Sequence, residues 1–166
     1  MSADGNIVSD PPQVANDAYE RDFHAWLMAQ AAALRGESDA PLDLANLAEE
    51  IEGLAGRDRR ELLRRLMTLI EHLLKYAYGQ RREPAKGWRR TIFRERDEIA
   101  ELLKQSPSLQ SVLAVGFEEG YAKARRDALF AFDEHEPDAE GYETLLPSDP
   151  PFTLEQALDH TFLPAP

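Results

Sequence analysis

Apolar residues recur along most of this chain at spacings of three and four, the signature of helices that bury one face. Tyr19, Phe23, Trp26, Leu27, Gln30 and Leu34 form one aromatic-rich stripe. The helix it predicts begins near Asp17 and stops at Gly36, since glycine readily takes the conformation that ends a helix. After a linker holding Pro41, the positions Leu44, Leu47, Ile51 and Leu54 repeat the period, with Asp43 placed to cap the start. Gly53 and Gly56 each cost about 1 kcal/mol in a helix interior relative to alanine, so a kink or short turn is expected there. Arg59 to Tyr78 then carries Leu62, Leu63, Leu66, Leu69, Ile70, Leu73, Leu74 and Ala77. That stripe is wider than a surface helix needs and predicts the central helix of a bundle.

Gly79, Pro84 and Gly87 interrupt the pattern, and Trp88, Ile92, Ile99, Leu102 and Leu103 resume it as far as Ser106-Pro107. Serine can cap and proline suits a first helical position, so a further helix is expected from Pro107 through Leu113, Phe117, Tyr121, Ala124, Ala128 and Phe132. Beyond Asp133 the sequence is acidic and proline-rich until Thr153 to His160, where Thr153 and Gln156 have the spacing of a capping box. No run of β-branched residues alternates with period two. The expected fold is all-α, an irregular helical bundle of four to five main helices with a short C-terminal capping helix. Residues 17–166 are expected to form one helical domain behind a disordered N-terminal tail, residues 1–16, which have no hydrophobic period and hold Pro11 and Pro12.

Composition narrows the function classes. The 166 residues are 43% apolar, enough for a core, and 30% charged with a net charge of −12. Nothing approaches the eighteen consecutive apolar residues of a membrane span, so no membrane association is expected. The first sixteen residues lack the basic start and apolar stretch of a secretory signal, and there is no cysteine; a cytoplasmic address is the expectation. Charge is unevenly spread: Met1–Gly56 carries −9, Arg57–Arg96 carries +8 and Asp97–Pro166 carries −11. A basic block between acidic flanks is either a footprint for an anionic partner or a segment that pairs within its own chain. Internal pairing is the favoured reading, because the surrounding acid repels a polyanion.

Several segments together resemble a known family. They are Tyr19-Glu20-Arg21-Asp22-Phe23-His24-Ala25-Trp26, then Asp43-Leu44-Ala45-Asn46-Leu47-Ala48-Glu49-Glu50-Ile51-Glu52, then His72-Leu73-Leu74-Lys75, Trp88-Arg89-Arg90-Thr91-Ile92, Ser106-Pro107-Ser108-Leu109 and Thr153-Leu154-Glu155-Gln156. Their order and spacing, from roughly Asp17 to Pro164, resemble the bacterial family known as domain of unknown function 29. What the resemblance implies is a compact helical fold in a family without an established activity, so it supplies no catalytic residues.

Candidate chemistry therefore rests on polar residues beside apolar stripes, where desolvation raises the stakes of every charge. Glu50, three after Leu47, His72, three after Leu69, and Arg96, four after Ile92, all border the expected core. They are the catalytic candidates, with Lys75, Arg89 and Arg90 as candidate anion-binding groups. The alternative is internal pairing that fixes helix register, and it is preferred. No metal and no cofactor are expected, because His-Glu-x-x-His, Glu-x-x-His and glycine-rich phosphate loops are all absent. The arginines of the basic block, with Trp88 and Tyr78 for stacking, keep a nucleic-acid partner open, although no reading motif accompanies them. The leading functional expectation is a protein–protein interaction or self-association module. An enzyme acting on an anionic substrate through the Glu/His/Arg group and nucleic-acid binding through residues 57–96 are the alternatives.

Overall fold

A computed structural model describes residues 18–79, 85–135 and 141–165, and every regular element among them is helical. After a helical turn over residues 18–21 come α1 (Phe23–Leu34), α2 (Leu44–Tyr78), α3 (Ala85–Gln105), a 3-10 turn (Pro107–Leu109), α4 (Gln110–His135), and the short α5 (Tyr142–Leu145) and α6 (Leu154–Leu158). Four long helices and a short C-terminal one match the all-α bundle expected from periodicity. The tail expected over residues 1–16, together with Arg81, Arg82 and Pro84, lies outside the described residues. The chain forms two units, Met1–Ala55 and Gly56–Pro166, whose boundary falls within α2.

In the first unit, α1 is set by its caps. The Asp22 carboxylate accepts from the Ala25 amide (3.0 Å) and so satisfies a free N–H of the first turn. At the other end Gly36 has φ +72°, its amide donates to the Ala33 carbonyl (3.0 Å), and the Glu37 amide donates to Ala32 (2.9 Å). This pair of bonds closes the helix where the sequence places its stop. Gln30, which shares the apolar stripe with Trp26, is buried for a polar reason: its amide oxygen accepts from the Asp43 backbone N–H (2.8 Å) and its nitrogen donates to the Pro41 carbonyl (3.4 Å). The linker into α2 is thereby tied to α1. Asp43 in turn accepts from the Asn46 amide (3.3 Å) at the start of α2.

The short turn expected at Gly53 and Gly56 does not interrupt α2, which is helical through both. Two glycines cost about 2 kcal/mol together. Extending a helix that is already nucleated on both sides is cheap, and the surrounding leucine, alanine, glutamate and arginine all favour it.

In the second unit, Leu62, Leu66, Leu69, Ile70, Leu73 and Leu74 of α2 have no exposed surface. They pack in one cluster with Trp88, Ile92 and Ile99 of α3, with Leu113, Phe117, Tyr121, Ala124, Ala128 and Phe132 of α4, and with Tyr142, Leu146, Phe152 and Ala157 of the C-terminal stretch. Each fully buried leucine or isoleucine contributes about 1.5–3 kcal/mol. Phe132 and Tyr142 stack at 4.1 Å between ring centres and carry α5 onto α4. The helix expected from Pro107 begins as the 3-10 turn and continues as α4, but the Ser106 side chain makes no capping bond. The capping box of α6 is complete, with Thr153 Oγ1 accepting from the Gln156 amide (3.2 Å) and Gln156 Oε1 accepting from the Thr153 amide (2.9 Å).

Gly79 ends α2 where the indole of Trp88 folds over it. A Cβ at Gly79 would lie 2.6 Å from Trp88 Cζ3 and 2.7 Å from the Lys75 carbonyl oxygen, whereas one at Gly87 meets nothing within 4 Å. Gly79→Ala is therefore expected to lower stability by about 1–3 kcal/mol through overpacking. Gly87→Ala should raise it by up to about 1 kcal/mol through helix propensity. Urea unfolding of the two variants checks the opposite signs.

Candidate functional site

A polar seam runs along one edge of the α2–α3 packing. Glu95 of α3 is only 2% exposed, yet its carboxylate is ionically satisfied on both oxygens. One accepts from Arg65 of α2 at 3.2 Å and the other from Arg94 at 2.7 Å. Arg65 also reaches Glu61 (2.8 Å) and Glu98 (3.2 Å). A buried carboxylate survives in ionised form only with such partners. About three turns further along α2, Lys75 is buried, paired with Glu71 at 3.1 Å, and lies 5.8 Å from the centre of the Trp88 ring. The Trp88 ring thus lies over the same lysine that pairs with Glu71.

His72 lies in this seam. Its Nδ1–H donates to the Thr68 carbonyl at 2.9 Å, one helical turn back. Burial, and then the positive charge of Lys75, hold its pKa below the ordinary value of 6.5, against opposing contributions from that carbonyl, Glu71 and Glu95. The neutral imidazole is the form the fold prefers.

Arg96 is 1% exposed and does something else. Its Nε donates to the Ala157 carbonyl at 2.7 Å, and a second guanidinium nitrogen lies 3.5 Å from the Gln156 carbonyl. A cation there complements the negative end of α6 and supplies a donor to a carbonyl that the helix leaves open. Burial holds the Arg96 pKa below its ordinary value, with Asp159 opposing. Arg125 of α4 performs the same service for the preceding segment, donating to the carbonyls of Glu143 (2.8 Å), Leu146 (3.0 Å) and Pro147 (3.0 Å). Tyr121 donates to Pro147 as well (2.8 Å), and burial pushes its pKa up to about 12.

The catalytic candidates therefore have separate engagements, each inside its own unit. Glu50 accepts a hydrogen bond from the Tyr19 hydroxyl at 2.6 Å, which raises the Tyr19 pKa above its ordinary value. His72 serves a backbone carbonyl and Arg96 holds α6. Of the anion-binding candidates, Lys75 is committed to Glu71 and Trp88, Arg89 lies exposed over the Phe93 ring (5.5 Å), and Arg90 is exposed without an ion pair among the described residues. Four groups of the basic block pair with glutamates of their own segment: Arg64 and Arg65 with Glu61, Lys75 with Glu71, Arg94 with Glu95. Among the described residues no group of three or more His, Asp or Glu side chains is placed to hold a metal ion. Two open hollows, about 700 Å³ beside Phe130 and Tyr142 and about 640 Å³ beside Tyr78 and Phe162, are lined by none of the candidates. Glu95 was missed by sequence reasoning, although it stands three after Ile92 and four before Ile99, the same evidence that singled out its neighbour Arg96.

The other feature is apolar. Leu44, Ile51 and Leu54 of α2 are 70%, 64% and 56% exposed. At about 100° per residue they fall within an arc of about 80° on the helix. The half-buried positions on the side that meets Tyr19 and Gln30 are Asp43, Asn46, Glu50 and Gly53, while Leu47, within the arc itself, is also half-buried. The first unit thus shields a mainly polar side of α2 and leaves the leucine–isoleucine side bare. Met28 and Leu34 of α1 add further exposed apolar surface to this unit.

These elements define an all-helical protein without a metal- or nucleotide-binding signature in its sequence. The model of the family described as domain of unknown function DUF29 matches residues 18–163, and the chain belongs to that family. No curated protein and no solved structure matches it.

Two predictions follow from the seam and the clamp. In Arg96→Met the Ala157 carbonyl loses its donor in a buried place, and stability should fall by about 1–3 kcal/mol in urea titrations. For His72 the folded pKa lies below 6.5. In acid the unfolded chain takes up the proton before the folded chain does. The stabilisation is fully present above pH 6.5 and is lost as pH falls towards the folded pKa. Unfolding free energy measured between pH 7 and 5 should decline, and His72→Gln should remove part of that slope.

Proposed function

We propose that the chain is a helical interaction module and that its first unit supplies the contact face. The observation that carries this reading is the bare Leu44, Ile51 and Leu54 arc on α2. Single exposed leucines are ordinary, but three within one arc, with Met28 and Leu34 on the neighbouring helix, form the kind of apolar surface that marks a binding site. Helix faces of this type are covered by other helices, whose side chains fit between those of the first. The second unit gives the contrast: there the equivalent leucines of α2 are covered by the chain's own α3 and α4.

The polar seam fits a structural role within this reading. Its charges are paired, His72 is held neutral, and Arg96 and Arg125 each donate to backbone carbonyls. Buried pairs of this kind fix the register of neighbouring helices.

The test compares the native chain with an Ile51→Asp, Leu54→Asp variant, chosen because both side chains are exposed and their loss should leave the melting temperature within a few degrees of native. Light scattering and affinity capture from lysate are run on both. The expected result is an association, with a second copy or with another protein, that the native chain shows and the variant loses. A native chain that is strictly monomeric and captures the same set of proteins as the variant would sink the reading.

A further inference from the structure

We infer that the partner received by the Leu44, Ile51 and Leu54 face is a basic amphipathic helix of another protein; this rests on the interaction reading above and names its occupant. The argument comes from what surrounds the face. Residues 18–55 hold eight carboxylates and two arginines, and one of those arginines, Arg35, is already paired with Glu37 at 3.1 Å. Around α2 the apolar arc has acid on both borders. Glu52 lies on its open side, exposed and without an ion pair among the described residues, and Asp43 and Glu50 lie on the side that meets α1. An apolar helix stripe bordered by carboxylates selects a helix whose own apolar stripe is bordered by lysine or arginine, because charges flanking the seam set the choice of partner.

The same acid disfavours the other occupants. A second copy brings its own acidic surplus to the contact, so pairing of two identical faces works against mutual repulsion. A nucleic acid or an acidic peptide is repelled outright. The sign of the salt dependence separates the cases: screening weakens a contact between opposite charges and strengthens one between like charges.

The experiment uses the full chain and two synthetic helical peptides. Both place leucines at spacings of three and four. One carries lysine at every flanking position and the other carries glutamate there. Binding is followed by fluorescence anisotropy at low and physiological salt, alongside sedimentation of the chain alone. The expected result is that the lysine peptide binds at least about tenfold more tightly than the glutamate peptide and weakens as salt rises. Ile51→Asp should abolish that binding, while the charge-reversed Glu52→Lys variant should lose part of the preference for lysine. Equal binding of both peptides, or a dimer that strengthens with salt and is broken by Ile51→Asp, overturns the basic-helix inference and leaves the interaction module standing. If neither peptide binds and the chain stays monomeric at all salt concentrations, the basic-helix inference falls, and the interaction module falls with it if the native chain and the Ile51→Asp, Leu54→Asp variant also capture the same proteins.

Discussion

The burial of one leucine-rich stretch of α2 is the constraint to which the second unit answers. Leu62, Leu66, Leu69, Ile70, Leu73 and Leu74 recur over a wide arc, so no single neighbouring helix can cover them. α3 and α4 each cover part, and the C-terminal stretch closes the remainder with Tyr142, Leu146, Phe152 and Ala157. Much of this last layer is irregular, and irregular backbone placed against a core carries carbonyls with no helical partner. Arg96, Arg125 and Tyr121 exist in their positions to meet that need, since each donates to a carbonyl of the covering segment. The apolar requirement of α2 thus dictates where three polar side chains of α3 and α4 are used.

The same logic accounts for the charges inside the seam. Arg65, His72 and Lys75 lie at the margin of the buried arc on α2, and Glu95 lies at the margin of the stripe on α3. Water is partly excluded there, so each ion needs a partner of opposite sign and an ionisable group without one is held neutral. Arg65 and Glu95 take the first course, as do Lys75 and Glu71, and His72 takes the second. A proton on His72 would sit beside Lys75 in a desolvated place. Buried pairs of this kind serve alignment of the helices more than net stability.

Periodicity made most of the architecture legible. The stop at Gly36, the wide stripe from Leu62 to Leu74, the capping box of Thr153 and Gln156, and the long helix after Pro107 are all local patterns with local causes. What could not be read has non-local causes. Nothing near Arg125 or Arg96 in the sequence announces carbonyls 18 to 61 residues away. The expectation of a kink or short turn at Gly53 and Gly56 weighs two unfavourable residues alone, whereas the continuous helix weighs them against every turn on either side. Leu44, Ile51 and Leu54 were assigned to a buried stripe because their spacing is the same as that of the core leucines. Spacing reports that a face is apolar, and it is silent on whether the chain itself supplies the cover.

An uncovered leucine face is a hazard as well as an opportunity, since apolar patches on soluble proteins promote indiscriminate association. The first unit pairs that hazard with an acidic surround, eight carboxylates against two arginines over residues 18–55. Repulsion between like-charged copies opposes self-association at the range of the screening length, before any apolar contact can form. It does so without covering the face, which remains open to a surface of opposite sign. On the proposed interaction reading the acid acts twice: it opposes association of the free chain with itself, and it discriminates among the partners that can approach. A neutral surround would give the same leucines neither property, and a buried stripe would need neither.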